Sequence, residues 1–206
     1  MWLFLNVLAW LAGLLHPVIQ LIERFFYPEM YRLGKLPPLI RKTWRKGDHN
    51  QAEILANEYL VLVEQFKNDP NYRDGMQLSH QIKGLLRLKE GAVEQAGEHL
   101  LEAGRSPSFL QLEYYGPRMT LARELLLKGE KQIVLQYLDL LTDSWATERD
   151  FPKEIKAKRN VSKLFKRIIT EALNSDKLAV KENKLLIQNW KAQVRKGRVP
   201  KHRLWQ

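Results

Sequence analysis

The sequence predicts an all-α fold: stacked antiparallel helical hairpins behind a hydrophobic N-terminal membrane-anchor helix. Three observations carry that expectation. Glycine turns recur at RKGD (45–48), KEGA (89–92) and KGEK (128–131), each between two segments with helical spacing. The apolar residues behind each glycine return at the i, i+3, i+4, i+7 positions of an amphipathic helix. Residues 1–22 carry no charge, and 17 of the 22 are apolar. The expected organisation is an N-terminal hydrophobic helix over 1–27, helical hairpins over 28–152, and a basic helical cap and tail over 153–206.

A chain of 206 residues with 45% hydrophobic content has enough apolar material for one domain with extensions. Nine prolines and eleven glycines are too few for a disordered or fibrous chain. The absence of cysteine excludes disulfides, zinc ribbons and thiol catalysis, and it suits a reducing compartment.

The N-terminal segment is interrupted only by Asn6, Gly13, His16, Pro17 and Gln20. About 20 such residues span a hydrocarbon core as a helix. Trp2, Leu3, Phe4, Leu8, Trp10, Leu14, Leu15 and Ile19 would form the anchor, with Phe25, Phe26 and Tyr27 as an interfacial aromatic belt. Seven Lys and Arg against Glu29 alone follow in 24–46, which by the positive-inside tendency puts the N-terminus outside and the bulk of the chain in the cytoplasm. A cleaved signal peptide would want a positive n-region and a small-x-small site, and the segment has neither. Pro17 leaves a kinked span, a re-entrant helix or a surface helix open.

Within the hairpins, the first stripe is Ala52, Leu55, Ala56, Tyr59, Leu60, Val63 and Phe66. Val93, Ala96, Leu100 and Ala103 follow Gly91, and Ile133, Val134, Tyr137, Leu138, Leu141 and Trp145 follow Gly129. A small or β-branched residue lies five positions beyond each glycine (Ala52, Ala96, Val134), and Gly84 and Ala122 lie seven before the second and third. Small side chains there let helices approach closely. Pro117 suits the first turn of a helix, where its missing N–H costs nothing. Asp69-Pro70-Asn71 and Gly104-Arg105-Ser106-Pro107 separate the hairpins.

Charge is segregated. Residues 1–152 hold 18 Lys+Arg against 19 Asp+Glu, net −1, and residues 153–206 hold 16 against 4, net +12. Two helices are expected in this last part, broken at Asn174-Ser175-Asp176. The first carries Val161, Leu164, Phe165, Ile168, Ile169 and Ala172 inward. The second carries Leu185, Leu186, Trp190 and Val194 inward, and Trp205 ends a tail that docks on the body or a partner. Lys163, Lys166, Arg167, Arg195 and Lys196 form the expected basic face, directed at anionic lipid or, less favoured, at nucleic acid with Trp190 or Trp205 as a stacking platform. A solvated helical surface is the plain alternative.

The segment HQIKGLLRLKEGAVEQAGEHLLEAG (80–104) resembles the tetratricopeptide repeat: Gly84, Leu85, Gly91, Ala96, Leu100 and Ala103 fall where that family places its packing residues. The match is degenerate. Turn glycines are 44 and 38 residues apart, against about 34 in the common repeat, and no tryptophan opens the first helix. The block LLEAGRSPSFLQLEYYGPRMTLARELLLKGEKQIVLQYLDLLTDSW, with LLIQNWKAQVRKGRVP later, resembles bacterial tetratricopeptide-like proteins of uncharacterised function. Its GPxMxLAxxLLxxGE core runs from Gly116 to Glu130. The resemblance implies a helical-repeat fold and a bacterial origin, brings no catalytic residues, and with the anchor implies a single-pass protein of the bacterial inner membrane.

No HExxH, G-x-S-x-G, P-loop or G-x-G-x-x-G occurs, and the five histidines (16, 49, 80, 99, 202) show no metal-binding spacing. Glu94, Glu98 and His99 lie close in sequence, but their spacing is that of a solvated helix face. Nothing nominates an enzyme, a cofactor or a metal. The expected function is a membrane-anchored scaffold or adaptor that binds another protein, with Gln77, His80, Gln81, Arg87, Tyr114, Tyr115, Arg118 and Arg123 as the partner-facing residues of a concave surface. An immunity-type protein neutralising a toxin, and a basic nucleic-acid binder, are the alternatives.

Overall fold

The structure, a computed structural model, describes Pro17 and residues 24–67, 71–105, 117–145 and 163–205. Among them every regular element is helical: α1 Pro28–Arg45, α2 His49–Gln65, α3 Asn71–Lys89, α4 Val93–Arg105, α5 Thr120–Leu127, α6 Lys131–Trp145, α7 Lys163–Arg195 and a 3-10 turn Arg203–Trp205. The chain divides into two compact units, Met1–Gly75 and Met76–Gln206.

The three anticipated glycines turn the chain by one mechanism. Gly47, Gly91 and Gly129 have φ of +79°, +80° and +94°, the left-handed region that closes a helix C-terminus. In each the glycine N–H donates three residues back and the next N–H donates five back: Gly91 to the Leu88 carbonyl and Ala92 to Arg87, Gly129 to Leu126 and Glu130 to Leu125, Gly47 to Trp44 and Asp48 to Thr43. Helix carbonyls that would otherwise be orphaned are thereby satisfied. Gly197, φ +69°, repeats the pattern after α7, with Arg198 donating to Gln193. That fourth turn lay unnoticed in RKGRVP.

In the first unit α1 packs on α2. Leu33, Leu36 and Ile40 meet the stripe Ala52, Leu55, Ala56, Tyr59 and Val63, all at most 2% exposed. Asp48 caps α2, its carboxylate accepting from the Gln51 N–H at 3.1 Å. α1 runs through Pro37-Pro38, which removes two helical donors. Burial of the flanking Leu33, Leu36 and Ile40 holds this stretch helical, as tertiary packing commonly overrides propensity.

In the second unit α4 packs on α5 and α6, and α6 on α7. Glycines mark the close approaches. A Cβ at Gly84 would meet the Leu121 side chain and, at 3.2 Å, the His99 Cβ; one at Gly97 would meet Ile133, and one at Gly104 would meet Tyr137 and Leu140. The core continues through Ala96, Leu100, Met119, Leu125, Val134 and Leu138 to a tryptophan cluster. Trp145 stacks on Trp190 with centroids 6.0 Å apart, and Trp205 meets Trp190 edge-on at 5.8 Å. The reversal at Gly197 brings the tail back, so Trp205 is 1% exposed and the 3-10 turn packs on α5. The tail is therefore part of the core.

Three expectations are corrected. The C-terminal part is not two helices: α7 runs unbroken from Lys163 to Arg195 through Asn174-Ser175-Asp176. Those residues disfavour a helix interior by only about half a kcal/mol each, too little to stop it. Leu185 does not face inward but is 57% exposed. The buried line is Val180, Ile187, Trp190 and Val194, and Leu185 stands two residues, or 200° of helical rotation, from Ile187. Finally, no helix among the described residues is long and apolar enough to cross a membrane, which conflicts with the expected single-pass placement in the bacterial inner membrane and leaves the anchor helix without support. The anchor positions Trp2, Leu3, Phe4, Leu8, Trp10, Leu14, Leu15 and Ile19 lie outside the described residues.

Two glycine substitutions separate the two uses of glycine here. Gly91→Ala has open space for its Cβ and suffers only the left-handed backbone, a loss of about 1 kcal/mol. Gly84→Ala overpacks against the fully buried Leu121 and loses about 1–3 kcal/mol. In urea denaturation, Leu121→Val partly rescues Gly84→Ala and adds independently to Gly91→Ala; equal coupling in both pairs would refute the assignment.

Candidate interaction surfaces

The expected partner-facing residues separate into four groups. Gln77 and Gln81, one turn apart on α3, are 2% and 3% exposed and serve the interior. The Gln81 amide donates to the Arg118 carbonyl at 2.5 Å and accepts from the Leu121 N–H at 3.4 Å. The Tyr137 hydroxyl donates to the same carbonyl at 3.3 Å, and Gln77 approaches that hydroxyl. Burial raises the Tyr137 phenol far above its ordinary value, so it stays a neutral donor. These side chains fasten the segment before α5 to α3 and α6. Burial places Gln77 and Gln81 in the interior rather than on a concave surface: Gln81 is spent on internal hydrogen bonds, whereas the Gln77 side-chain amide nitrogen is buried without a partner among the described residues.

Arg87 and Arg123 are half-buried and paired, Arg87 with Glu90 at 2.5 Å and Arg123 with its neighbour Glu124. Arg118 is half-buried, and its backbone carbonyl is the acceptor of the clamp just described. Tyr114 and Tyr115 lie outside the described residues. Glu94 and Glu98 are exposed, and no group of three or more His, Cys, Asp or Glu among the described residues could hold a metal.

His80 is joined to a residue that its sequence position did not suggest. Its Nδ1 lies 3.1 Å from the Nδ1 of His99 on α4, with ring centroids 5.3 Å apart. One ring must donate and the other accept, so the pair is bound only while at least one imidazole is neutral. Burial lowers both: His80 against the pull of Glu102 and with the push of Lys83, and His99 to about 4, with His80, Lys83 and Arg87 adding to the burial and Glu102 opposing. The spacing of 19 residues places one on each arm of a hairpin turned at Gly91, a relation readable only once the turn is fixed.

On the first unit an open groove of about 370 Å³ lies between α1 and α2, lined by Pro28, Glu29, Arg32, Glu58, Val61 and Leu62. Arg32 bridges it to Glu58 by two hydrogen bonds of 2.5 and 2.7 Å. That pairing lowers the Glu58 carboxyl and raises the Arg32 guanidinium. Val61, which lines the groove, is 62% exposed; two turns earlier on α2 Ile54 is 59% exposed, and Phe25, Phe26 and Tyr27 stand exposed just before Pro28.

The basic face is only partly as expected. Arg195 and Lys196 are exposed, whereas Lys163, Lys166 and Arg167 lie on α7 with side chains outside the described set. Lys191 is engaged, its ammonium 2.7 Å from Asp139 and 3.1 Å from the Thr142 hydroxyl. Trp190 and Trp205, at 1% exposure, offer no stacking platform for a base. Lys184 is exposed on the same helix, as its helical spacing from Arg195 and Lys196 implies, and so are Lys177 and Lys181, which the expected basic face does not include.

Comparison of the chain with protein families, with curated proteins and with solved structures finds no match. The tetratricopeptide resemblance therefore rests only on the residues that suggested it.

The histidine pair predicts an acid-sensitive fold. Folding holds both imidazoles below the ordinary value of 6.5, so the stability they contribute is complete above that pH and is lost as the pH falls from 6.5 towards about 4. Screening at a half-buried site reduces the effect to about 1 kcal/mol. Urea unfolding at neutral pH and at about pH 5 measures it; His99→Gln flattens the difference, and an unchanged slope would show that the pair does not titrate with folding.

Proposed function

We propose that this chain is a helical-hairpin interaction module whose work is to bind another protein, as a scaffold or adaptor does. The observation that carries the reading is the exposed apolar side chains at and near the α1–α2 groove. The inner faces of both helices are already filled by their shared core, yet Val61 in the groove wall with Pro28 and Leu62, and Ile54 two turns earlier on α2, remain more than half exposed. Large apolar side chains left exposed at and near an open groove mark a place where another protein sits. Arg32 and Glu58 neutralise one another across the groove, so it presents an apolar trough with one internal ion pair. Such a trough suits the apolar side of a partner's helix or peptide.

A stack of degenerate tetratricopeptide-like hairpins is the architecture we attach to this function. Supporting it are the repeated glycine-closed turns and the glycines at which one hairpin of the second unit receives side chains of the next, Gly84 with Leu121 and Gly104 with Tyr137. An immunity-type role would be the same act of binding with a toxin as the partner.

The test is a photo-cross-linking residue placed at position 61 of the full chain in its native cells, with mass spectrometry of the adducts. The expected outcome is one dominant protein adduct, lost when Ile54→Asp is added. Both positions are exposed, so these changes leave the unfolding midpoint within about 0.5 kcal/mol of the parent. No protein adduct, or one indifferent to Ile54→Asp, would defeat the reading.

A further inference from the structure

The second unit carries a surface of a different chemistry, independent of the α1–α2 groove. On α7 the buried line Val180, Ile187, Trp190 and Val194 fixes the rotation of the helix. With 100° per residue, the remaining positions of the last five turns fall into rows seven residues apart. One row is Lys177, Lys184 and Lys191; the next is Lys181, Gln188 and Arg195; beyond it lies Leu178, Leu185 and Ala192. Leu178 and Leu185 are 58% and 57% exposed. Lys177, Lys181, Lys184 and Arg195 are exposed, while Lys191 is tied to Asp139. A leucine pair at heptad spacing, about 10 Å long, thus has two basic rows on one side, extending over the rise of about 27 Å from Lys177 to Arg195, and the exposed Glu182 and Asn189 on the other.

We infer that this face of α7 docks an acidic amphipathic helix of a partner protein. The leucine row supplies a short apolar seam, and the basic rows on one side of it select a partner helix whose facing flank is Glu or Asp, with Glu182 opposing acid on the other flank. A second copy of the chain is a poor occupant, because it would bring Lys177, Lys184 and Arg195 against their own likenesses. Nucleic acid would use the cations but leave both leucines against phosphate, and Trp190 and Trp205 are enclosed in the core where no base can stack on them. Only a helix with both an apolar strip and an acidic flank uses every feature of the row pattern. The exposed Lys196, Arg198, Lys201 and Arg203 beyond α7 extend the same positive field and draw such a partner in.

The experiment uses the full chain and three probes: a helical peptide of about 20 residues with leucines at heptad spacing and glutamates beside them, a peptide of equal charge with those leucines replaced by serine, and a DNA duplex of arbitrary sequence. Isothermal titration is expected to show the first peptide binding at least tenfold more tightly than either other probe. Leu178→Ser with Leu185→Ser in the chain should abolish that preference, and Lys177→Glu with Lys184→Glu should weaken the first peptide at least tenfold. All four positions are exposed, so circular dichroism melts of the variants should overlay the parent. Equal binding of the two peptides, tighter binding of the duplex, indifference to the leucine changes, or no binding of the first peptide would each overturn the inference.

Discussion

The left-handed glycine at the end of a helix is the constraint on which this structure depends. At Gly47, Gly91, Gly129 and Gly197 the chain reverses within three residues while the last carbonyls of the helix are still hydrogen-bonded. A residue with a Cβ reaches that conformation only at a penalty of a kcal/mol or more, so the turn positions are set in the sequence before any packing exists. Everything after the turn follows from its register. The residue five beyond each of the first three glycines, Ala52, Ala96 or Val134, arrives fully buried against the preceding arm. His99 arrives opposite His80, and Trp205 arrives against Trp190.

Turns alone leave thin hairpins, and the second unit shows how they are thickened. Helices approach closely where one of them lacks a side chain: Leu121 lies over Gly84, Ile133 over Gly97, and Tyr137 with Leu140 over Gly104. The close approach brings backbone polar groups into the interior, which explains the buried glutamines. Gln81 and Tyr137 both reach the Arg118 carbonyl, which no helix hydrogen bond serves at the entrance to α5. Polar residues on α3 that a sequence reader assigns to a binding surface are thus required by the packing. The tryptophan cluster then closes the far side, where a single long α7 covers α6 and the returning tail packs on α5.

How much of this was legible in the sequence follows from the range of the interactions. Helical character, three of four turns and most core positions depend on spacing within a dozen residues, and those were read correctly. The phase of α7 was read wrongly at Leu185 because Leu185, Leu186 and Ile187 are equally apolar, and only contact with α6 selects Ile187. The break expected at Asn174-Ser175-Asp176 weighed local propensity above the cooperativity of a 33-residue helix. Gln81 escapes a reading from polarity because polarity implies exposure only when no internal partner is at hand, and its partner, the Arg118 carbonyl, is 37 residues away. The His80–His99 contact joins two arms and has no local signature at all.

The surfaces left over after packing are where function has room to act, and they differ in kind. The α1–α2 groove is apolar with its one ion pair satisfied, so its contribution to binding is area removed from water, at about 25 cal/mol per Å² before the losses of association. The outer face of α7 is positive with only two leucines, so attraction there is long-ranged, screened by salt, and specific only through the spacing of its rows. A partner seated in the groove is selected by shape, whereas one seated on α7 is selected by its charge pattern. Under the proposed readings the two surfaces therefore discriminate by different means, the groove by shape and the α7 face by charge.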